Sequence, residues 1–157
     1  MTQIYTIGGY GYTEISFLQA LKSNRIDLFV DVRQRRGMRG STYSFLNARK
    51  LEENLLKIGV LYLHLKSLAP TNEVRAFQKS ADHETGAAKR NRDRLSQGFI
   101  EAYEKEILNQ EDKEVVLRTL NGHKNICFFC VETHHEACHR SILTNWLEPL
   151  AGKAKHI

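Results

Sequence analysis

The segment 125–131, Asn-Ile-Cys-Phe-Phe-Cys-Val, decides the fold, because it is the most apolar stretch and the polar segment 132–140 follows it at once. A short, continuous apolar run bounded by polar residues is typical of a strand buried on both faces, as in a parallel sheet. Residues 138–150 then place apolar side chains on one side at helical spacing: Ile142, Leu143, Trp146, Leu147 and Leu150. This part of the sequence predicts a buried strand, a polar loop and an amphipathic helix.

The order of strand, loop and helix recurs towards the amino terminus. Residues 3–7, 26–32 and 60–64 have the β-branched and aromatic composition of strands. Helices are predicted after Thr13, over 44–57, after Ser96 and over 112–120. Parallel neighbours need crossover connections, which helices provide. The sequence therefore predicts a single α/β domain over 1–157, with a mostly parallel central sheet of about four strands and helices on both faces.

Length and composition set the class of protein. The chain has 157 residues and is 41% hydrophobic, enough for the core of one domain without disulfide or metal staples. The longest apolar run, 126–131, is six residues, far too short to span a membrane, and no signal peptide precedes the first strand. The three cysteines lie within twelve residues of one another, which favours reduced thiols. We expect a cytoplasmic protein without a membrane partner.

Charge predicts the kind of partner. The net charge of +5 favours anionic partners such as a nucleic acid, a nucleotide or a phosphate-bearing metabolite. Basic residues concentrate in two predicted loops: Arg33, Arg35, Arg36 and Arg39 in the first, and Lys89, Arg90, Arg92 and Arg94 in the second. The second cluster lies in the polar stretch 81–94, which we expect to be a flexible loop, and it is equally well explained as solvated surface charge. Anion binding is therefore assigned to Arg33, Arg36, Arg39 and Arg140.

The segment 132–140 carries the strongest chemical signal, because it runs from a strand end into the amino end of a helix. Unpaired backbone N–H groups and the helix dipole favour an anion there, and the same field lowers the pKa of a thiol. Glu132, Cys138 and His139 are the candidate catalytic residues, as proton donors or acceptors or as a nucleophile. The alternative is structural: Cys138 as a small buried residue, His139 as a cap or a surface pair, and Glu132 paired with Arg140 or Arg33.

Other polar residues follow the predicted strands directly. Because ligands of parallel sheets bind beyond the carboxyl ends of the strands, we expect these residues to converge and to line a pocket. Asp31 and His64 end two strands, and Cys130 lies at the end of the most apolar one. The glycine-rich turn that follows the first strand contributes Gly8, Gly9 and Tyr10, and it matches neither phosphate-loop nor dinucleotide motifs. No cofactor is predicted.

A zinc site is the chemical alternative, since Cys127, Cys130, Cys138 and His139 superficially supply four ligands. Residues three apart in a strand point to opposite faces, so Cys127 and Cys130 close on one ion only if they form a turn. The run 126–131 lacks turn-forming residues. No metal site is therefore predicted.

Several motifs together resemble the domain-of-unknown-function 488 family. They are Ile-Tyr-Thr-Ile-Gly at 4–8, Asp-Val-Arg at 31–33, Cys-Val-Glu at 130–132 and Cys-His-Arg at 138–140, with fitting features at 62–65 and 99–103. The resemblance covers nearly the whole chain and implies a fold and a pocket, while activity in the family is mostly unassigned. The chain departs from the family pattern at 34–39 and 68–70, two loops that should border the site.

The leading hypothesis is a domain that binds a nucleotide, a nucleic acid or another phosphate-bearing ligand at the carboxyl edge of the sheet. Whether the domain also processes that ligand is left open, as is its oligomeric state. One alternative is a non-catalytic anion-binding or regulatory module. The less favoured alternative is a zinc-stabilised structural domain.

Overall fold

The computed structural model describes residues 1–87 and 92–157. Its five strands form one sheet in the order β3-β2-β4-β1-β5 and every neighbouring pair is parallel. The strands are β1 (Gln3–Ile7), β2 (Leu28–Asp31), β3 (Leu61–His64), β4 (Asn125–Phe129) and β5 (Lys155–His156). The predicted α/β fold with a mostly parallel sheet is confirmed, and the most apolar segment is the central strand, β4.

Helices cover both faces of the sheet, as parallel crossovers require. In the described ranges they are α1 (Glu14–Ser23), α2 (Ala48–Lys57), α3 (Asn72–Thr85), α4 (Gln97–Glu106), α5 (Lys113–Thr119) and α6 (His139–Ala151). The buried apolar residues of α1 and α2 belong to one core cluster, and those of α3 to α6 belong to the other. None of these described helices is both long and apolar enough to cross a membrane.

Strand β4 contributes apolar side chains to both hydrophobic cores, one on each face of the sheet. Ile126 and Phe128 pack in the cluster beneath α3 to α6, whereas Cys127 and Phe129 pack in the cluster beneath α1 and α2. All four are at most 1% exposed. Side chains alternate between the faces of a strand, so a strand covered on both faces must be apolar at every position.

Helix starts follow the caps that the sequence predicts. The Thr13 hydroxyl accepts a hydrogen bond from the Ser16 backbone N–H, and the Ser16 hydroxyl accepts one from the Thr13 backbone N–H, so α1 begins in a capping box. Ser96 caps α4 by accepting a hydrogen bond from the Phe99 N–H, and Asp112 caps α5 by accepting from the Glu114 and Val115 N–H groups.

The prediction of one helix over 44–57 is wrong. A short 3₁₀ helix (Ser44–Leu46) is separated from α2 by Asn47, whose backbone is extended at φ −61° and ψ 135°. The Asn47 amide donates to the Ser44 carbonyl and its Oδ1 accepts from the Met38 N–H at 2.7 Å. Asparagine side chains compete with helical hydrogen bonds in this manner, and here the competition breaks the helix.

The prediction of a flexible loop over 81–94 is wrong at its beginning. Residues 81–85 form the last turns of α3, which ends before Gly86 at φ +69°. Val74 and Gln78 are the buried residues of α3. The segment therefore lacks the stripe of apolar residues that predicts an amphipathic helix. Lys89 and Arg90 of the second basic cluster lie outside the described residues.

The fifth strand is an addition to the predicted sheet. β5 is two residues long and pairs beside Tyr5 and Thr6 of β1. Its His156 Nδ1 lies 2.6 Å from the Thr6 hydroxyl, and the His156 ring stacks on His135 at 3.5 Å between centroids. A two-residue exposed strand carries no periodic signal, so its pairing depends on these long-range contacts.

Candidate functional site

Residues that follow three strands meet at the carboxyl edge of the sheet, as the parallel topology requires. Asp31 at the end of β2 lies in register with His64 of β3 and Phe129 of β4. A His64 ring nitrogen lies 2.8 Å from the Arg33 carbonyl oxygen, and the His139 ring reaches the Val32 carbonyl oxygen at 3.0 Å. Residues 32–33, which follow β2, are therefore hydrogen-bonded both to His64 at the end of β3 and to His139 at the start of the last helix.

A buried ion pair between Asp31 and Arg33 lies at this edge. Arg33 Nε and Nη2 donate to the two Asp31 carboxylate oxygens at 3.0 and 2.8 Å, and both side chains are at most 3% exposed. The Arg33 guanidinium also lies over the Phe129 ring, 4.8 Å from its centroid. Pairing and stacking together compensate for taking both charges out of water.

Tyr62 extends the network towards the basic loop. Its hydroxyl donates to Asp31 Oδ2 at 2.7 Å and accepts from Arg36 Nη1 at 3.3 Å. Burial, the largest cause, and the Asp31 carboxylate together raise the pKa of Tyr62 to about 12 against the opposing effect of Arg36. Tyr62 therefore stays protonated and can donate to Asp31 throughout the neutral range.

Glu132 lies in a second ion-pair network that the sequence did not reveal. Arg92 bridges two carboxylates, with Nη2 at 3.1 Å from Glu132 Oε1 and Nη1 at 2.6 Å from Asp82 Oδ2. The Arg92 side chain is only 12% exposed. Arg92 was expected to be part of a loop cluster, and forty residues separate it from Glu132, so no local signal could have paired them.

The buried Arg140 side chain stabilises the loop that follows β4 by hydrogen bonds to its backbone. It is 2% exposed, and its Nη1 and Nη2 donate to the carbonyl oxygens of Glu132 and Thr133 at 2.7 and 3.3 Å. Gly8 makes this arrangement possible, because a Cβ atom there would lie 2.0 Å from the Glu132 carbonyl oxygen. The N–H groups of Gly9 and Tyr10 donate to the Val131 carbonyl, so the glycine turn is tied to the same loop.

Two thiols and an imidazole form a separate buried group. Cys130, Cys138 and His139 are 5%, 1% and 5% exposed, and their ligand atoms lie within 4.8 Å of one another. The hydrogen bond with Cys138 and burial together raise the pKa of Cys130 to about 11, against the opposing effect of His139. Burial lowers the pKa of His139, but the Cys130 sulfur and the Glu132 carboxylate outweigh it, so the pKa is raised.

Solvent reaches the basic loop that follows Arg33. Arg35 and Arg39 are exposed and Arg36 is half-buried. The Ala48 N–H donates to the Arg36 carbonyl, and the Met38 N–H donates to Asn47, so the loop is fixed to the start of α2. The half-buried Tyr43 borders it and packs edge-on against Tyr10 at 5.0 Å.

The predicted site residues thus fall into three groups. The carboxyl edge brings together Asp31, Arg33, His64, Glu132 and Arg140, with Gly8, Gly9 and Tyr10 beside them. Cys130, Cys138 and His139 form the thiol and imidazole group, while Arg36 and Arg39 lie on the outer loop. The roles assigned to these residues remain predictions.

Fold and site define a class: an α/β domain with an all-parallel sheet whose carboxyl edge carries buried ion pairs, a thiol and imidazole group and an outer basic loop. A comparison with known families confirms the resemblance that the sequence motifs predicted. The family model described as "Domain of unknown function DUF488" matches residues 15–147, and the chain belongs to this family. No curated protein and no solved structure matches the chain significantly.

Proposed function

We propose that the carboxyl edge of the sheet binds a phosphate-bearing ligand, a nucleotide or a nucleic acid, through the loop that follows β2. The observation that carries the proposal is the exposure of Arg35 and Arg39 on a loop fixed to α2 at the ligand-binding edge of a parallel sheet. Guanidinium groups bind phosphate oxygens with paired hydrogen bonds, and the net charge of +5 attracts polyanions.

The buried arginines have a supporting part in this proposal. Arg33 and Arg140 spend most of their donors on Asp31 and on the loop after β4. Within the described ranges, Arg33 Nη1 and Arg140 Nε are buried donors without an acceptor. A buried donor of this kind costs about 1–3 kcal/mol, which an oxygen of a bound ligand reaching it recovers.

Binding without catalysis is the better supported form of the proposal. A thiol nucleophile has to reach its substrate, whereas Cys138 is 1% exposed and Cys130 is 5% exposed. His139 is committed to the Val32 carbonyl and Glu132 to Arg92. These contacts favour a binding or regulatory module, and ligand processing by Glu132, Cys138 or His139 is the second candidate. The three free thiols fit a reducing compartment, so a cytoplasmic location remains part of the proposal.

Fluorescence anisotropy with a labelled single-stranded oligonucleotide, over a series of salt concentrations, tests the binding proposal. Removing two phosphate contacts in an Arg35→Ala, Arg39→Ala variant should weaken binding. It should also make the slope of log K against log salt shallower by about 1.4, because each contact to a single strand contributes about 0.7. Both side chains are exposed, so the variant should keep the stability of the wild type.

The matched control removes the same charge elsewhere. Arg118 of α5 and Lys124, which directly precedes β4, are both exposed and lie away from the carboxyl edge. An Arg118→Ala, Lys124→Ala variant should keep the wild-type slope. Equal losses of affinity in the two variants would show that binding is only a non-specific attraction between charges. Unchanged binding by the Arg35→Ala, Arg39→Ala variant would refute the proposal.

A further inference from the structure

Three side chains that bind metals well converge beside the carboxyl edge. Cys130 follows β4, and Cys138 and His139 stand at the start of α6. Their two Sγ atoms and a His139 ring nitrogen all lie within 4.8 Å of one another, and Cys138 Sγ is 3.9 Å from His139 Nδ1. In the part of the chain that the structure describes, this is the one group of three such ligands.

The imidazole is already oriented as a metal ligand. His139 Nε2 lies 3.0 Å from the Val32 carbonyl oxygen, which can only accept a hydrogen bond. The proton therefore belongs on Nε2, and the lone pair of Nδ1 faces the Cys138 sulfur. Metal-binding histidines typically donate their second ring N–H to a carbonyl or carboxylate in this way, which fixes the tautomer and the ring orientation.

Ligand distances and charge agree with zinc. Tetrahedral Zn²⁺ has Zn–S bonds of about 2.3 Å and Zn–N bonds of about 2.0–2.1 Å, which places its ligand atoms roughly 3.5–3.8 Å apart. The observed atoms lie within 4.8 Å of one another and need to close by at most about 1 Å to reach that spacing. Zn²⁺ with two thiolates and a neutral imidazole has no net charge, which suits ligands that are at most 5% exposed.

We infer that Cys130, Cys138 and His139 form a binding site for a thiophilic metal ion, with Zn²⁺ as the ion of best fit. Binding displaces the two thiol protons to solvent and forms two Zn–S bonds and one Zn–N bond. Three protein ligands leave one tetrahedral position for a group from outside the protein. The ion joins the end of β4 to the start of α6.

This site differs from the four-ligand zinc site that the sequence suggested. Cys127 is buried in the sheet and is not part of the converging group, so the Cys-x-x-Cys spacing has no role. Cys130 contributes because it comes after the last residue of β4, where strand geometry no longer fixes its direction. The inference does not depend on phosphate binding, because none of its ligands is an arginine or belongs to the basic loop.

Cobalt is the probe for this site, because tetrahedral Co²⁺ bound to thiolates is strongly coloured. Chelator-treated protein kept under a reducing agent is titrated with Co²⁺ and then with Zn²⁺. We expect one Co²⁺ per chain, with a sulfur-to-cobalt charge-transfer band and the intense visible bands of tetrahedral geometry, all removed by one equivalent of Zn²⁺. A spectrum that stays that of hydrated Co²⁺ would overturn the inference.

Substitutions of single cysteine and histidine residues test which side chains bind the metal ion. Cys138→Ser and His139→Gln should each lower zinc affinity, measured against a chromophoric chelator, by at least about tenfold. Cys127→Ser changes an equally buried thiol outside the group and should keep wild-type affinity. An equal loss in Cys127→Ser and Cys138→Ser would contradict the assignment.

A measurement on the wild type covers the case in which a ligand variant fails to fold. X-ray absorption at the zinc edge of the loaded protein should show two sulfur atoms and lighter nitrogen or oxygen atoms around the ion. A shell without sulfur would overturn the inference. Oligonucleotide binding is measured on the same metal-free sample, so failure of the metal site and failure of the proposed function are separate results.

Discussion

The arginines of the carboxyl edge divide into two kinds. Arg33 and Arg140 are 4% and 2% exposed and spend their donors on the protein. Arg35 and Arg39, which are close to Arg33 in the sequence, are exposed. The difference shows that one basic motif supplies both a buried arginine that holds the protein together and exposed arginines, and the exposed ones are those that we propose bind the ligand.

Position relative to the strand explains the division. Arg33 lies two residues beyond the end of β2, where the Asp31 carboxylate and the Phe129 ring surround its guanidinium. Arg35 and Arg39 follow after the chain has left the sheet and turned towards α2. Variants of the buried kind should therefore change stability, and variants of the exposed kind should change binding.

Arg33→Ala should give the largest effect. It leaves the Asp31 carboxylate, which is fully buried, without its cation. Breaking a buried ion pair by removing one partner typically costs about 3–5 kcal/mol in the free energy of unfolding. Urea denaturation followed by circular dichroism measures the loss.

Two controls sharpen this prediction. Arg35→Ala removes the same charge from an exposed site and should change the unfolding free energy by less than about 0.5 kcal/mol. The double variant Asp31→Asn, Arg33→Met removes both charges and should be more stable than Arg33→Ala. Equal destabilisation by Arg33→Ala and Arg35→Ala would show that the two kinds of arginine do not differ.

Gly8→Ala should give a smaller loss of stability, of about 1–3 kcal/mol, because overpacking forces the backbone to shift. The added Cβ would meet the Glu132 carbonyl oxygen and come within 3.1 Å of Arg140 Nη2, so the frame around Arg140 must move. Gly37→Ala is the matched control, since its Cβ would meet no atom closer than 3.8 Å. Thermal unfolding compares the two, and a Gly37→Ala loss as large as that of Gly8→Ala would contradict the account.

Local patterns predicted much of this structure. The apolar run at 125–131 contains the central strand, and Thr13 and Ser96 cap helices where their hydroxyl groups predicted. Parallel topology then predicted correctly that strand ends would meet, because that convergence follows from the fold.

Contacts between distant segments could not be predicted. The bridge from Arg92 to Glu132 and Asp82 joins three segments, and nothing in the polar stretch around Arg92 distinguishes it from surface charge. Asn47 broke a helix through hydrogen bonds to Met38 and Ser44, which depend on how the basic loop folds back. Strand periodicity correctly predicted that Cys127 and Cys130 do not converge on one site. It could not predict where the Cys130 side chain points, because Cys130 lies after the last residue of β4.

Backbone amide chemical-shift mapping of the wild-type protein, titrated with a single-stranded oligonucleotide at low salt, tests the central claim most directly. The account predicts that the largest shifts fall in the loop over 33–43 and the glycine turn over 8–12, with α5 and Lys124 unchanged. Largest shifts on α5 or at the amino edge of the sheet, or no shifts at all, would contradict it.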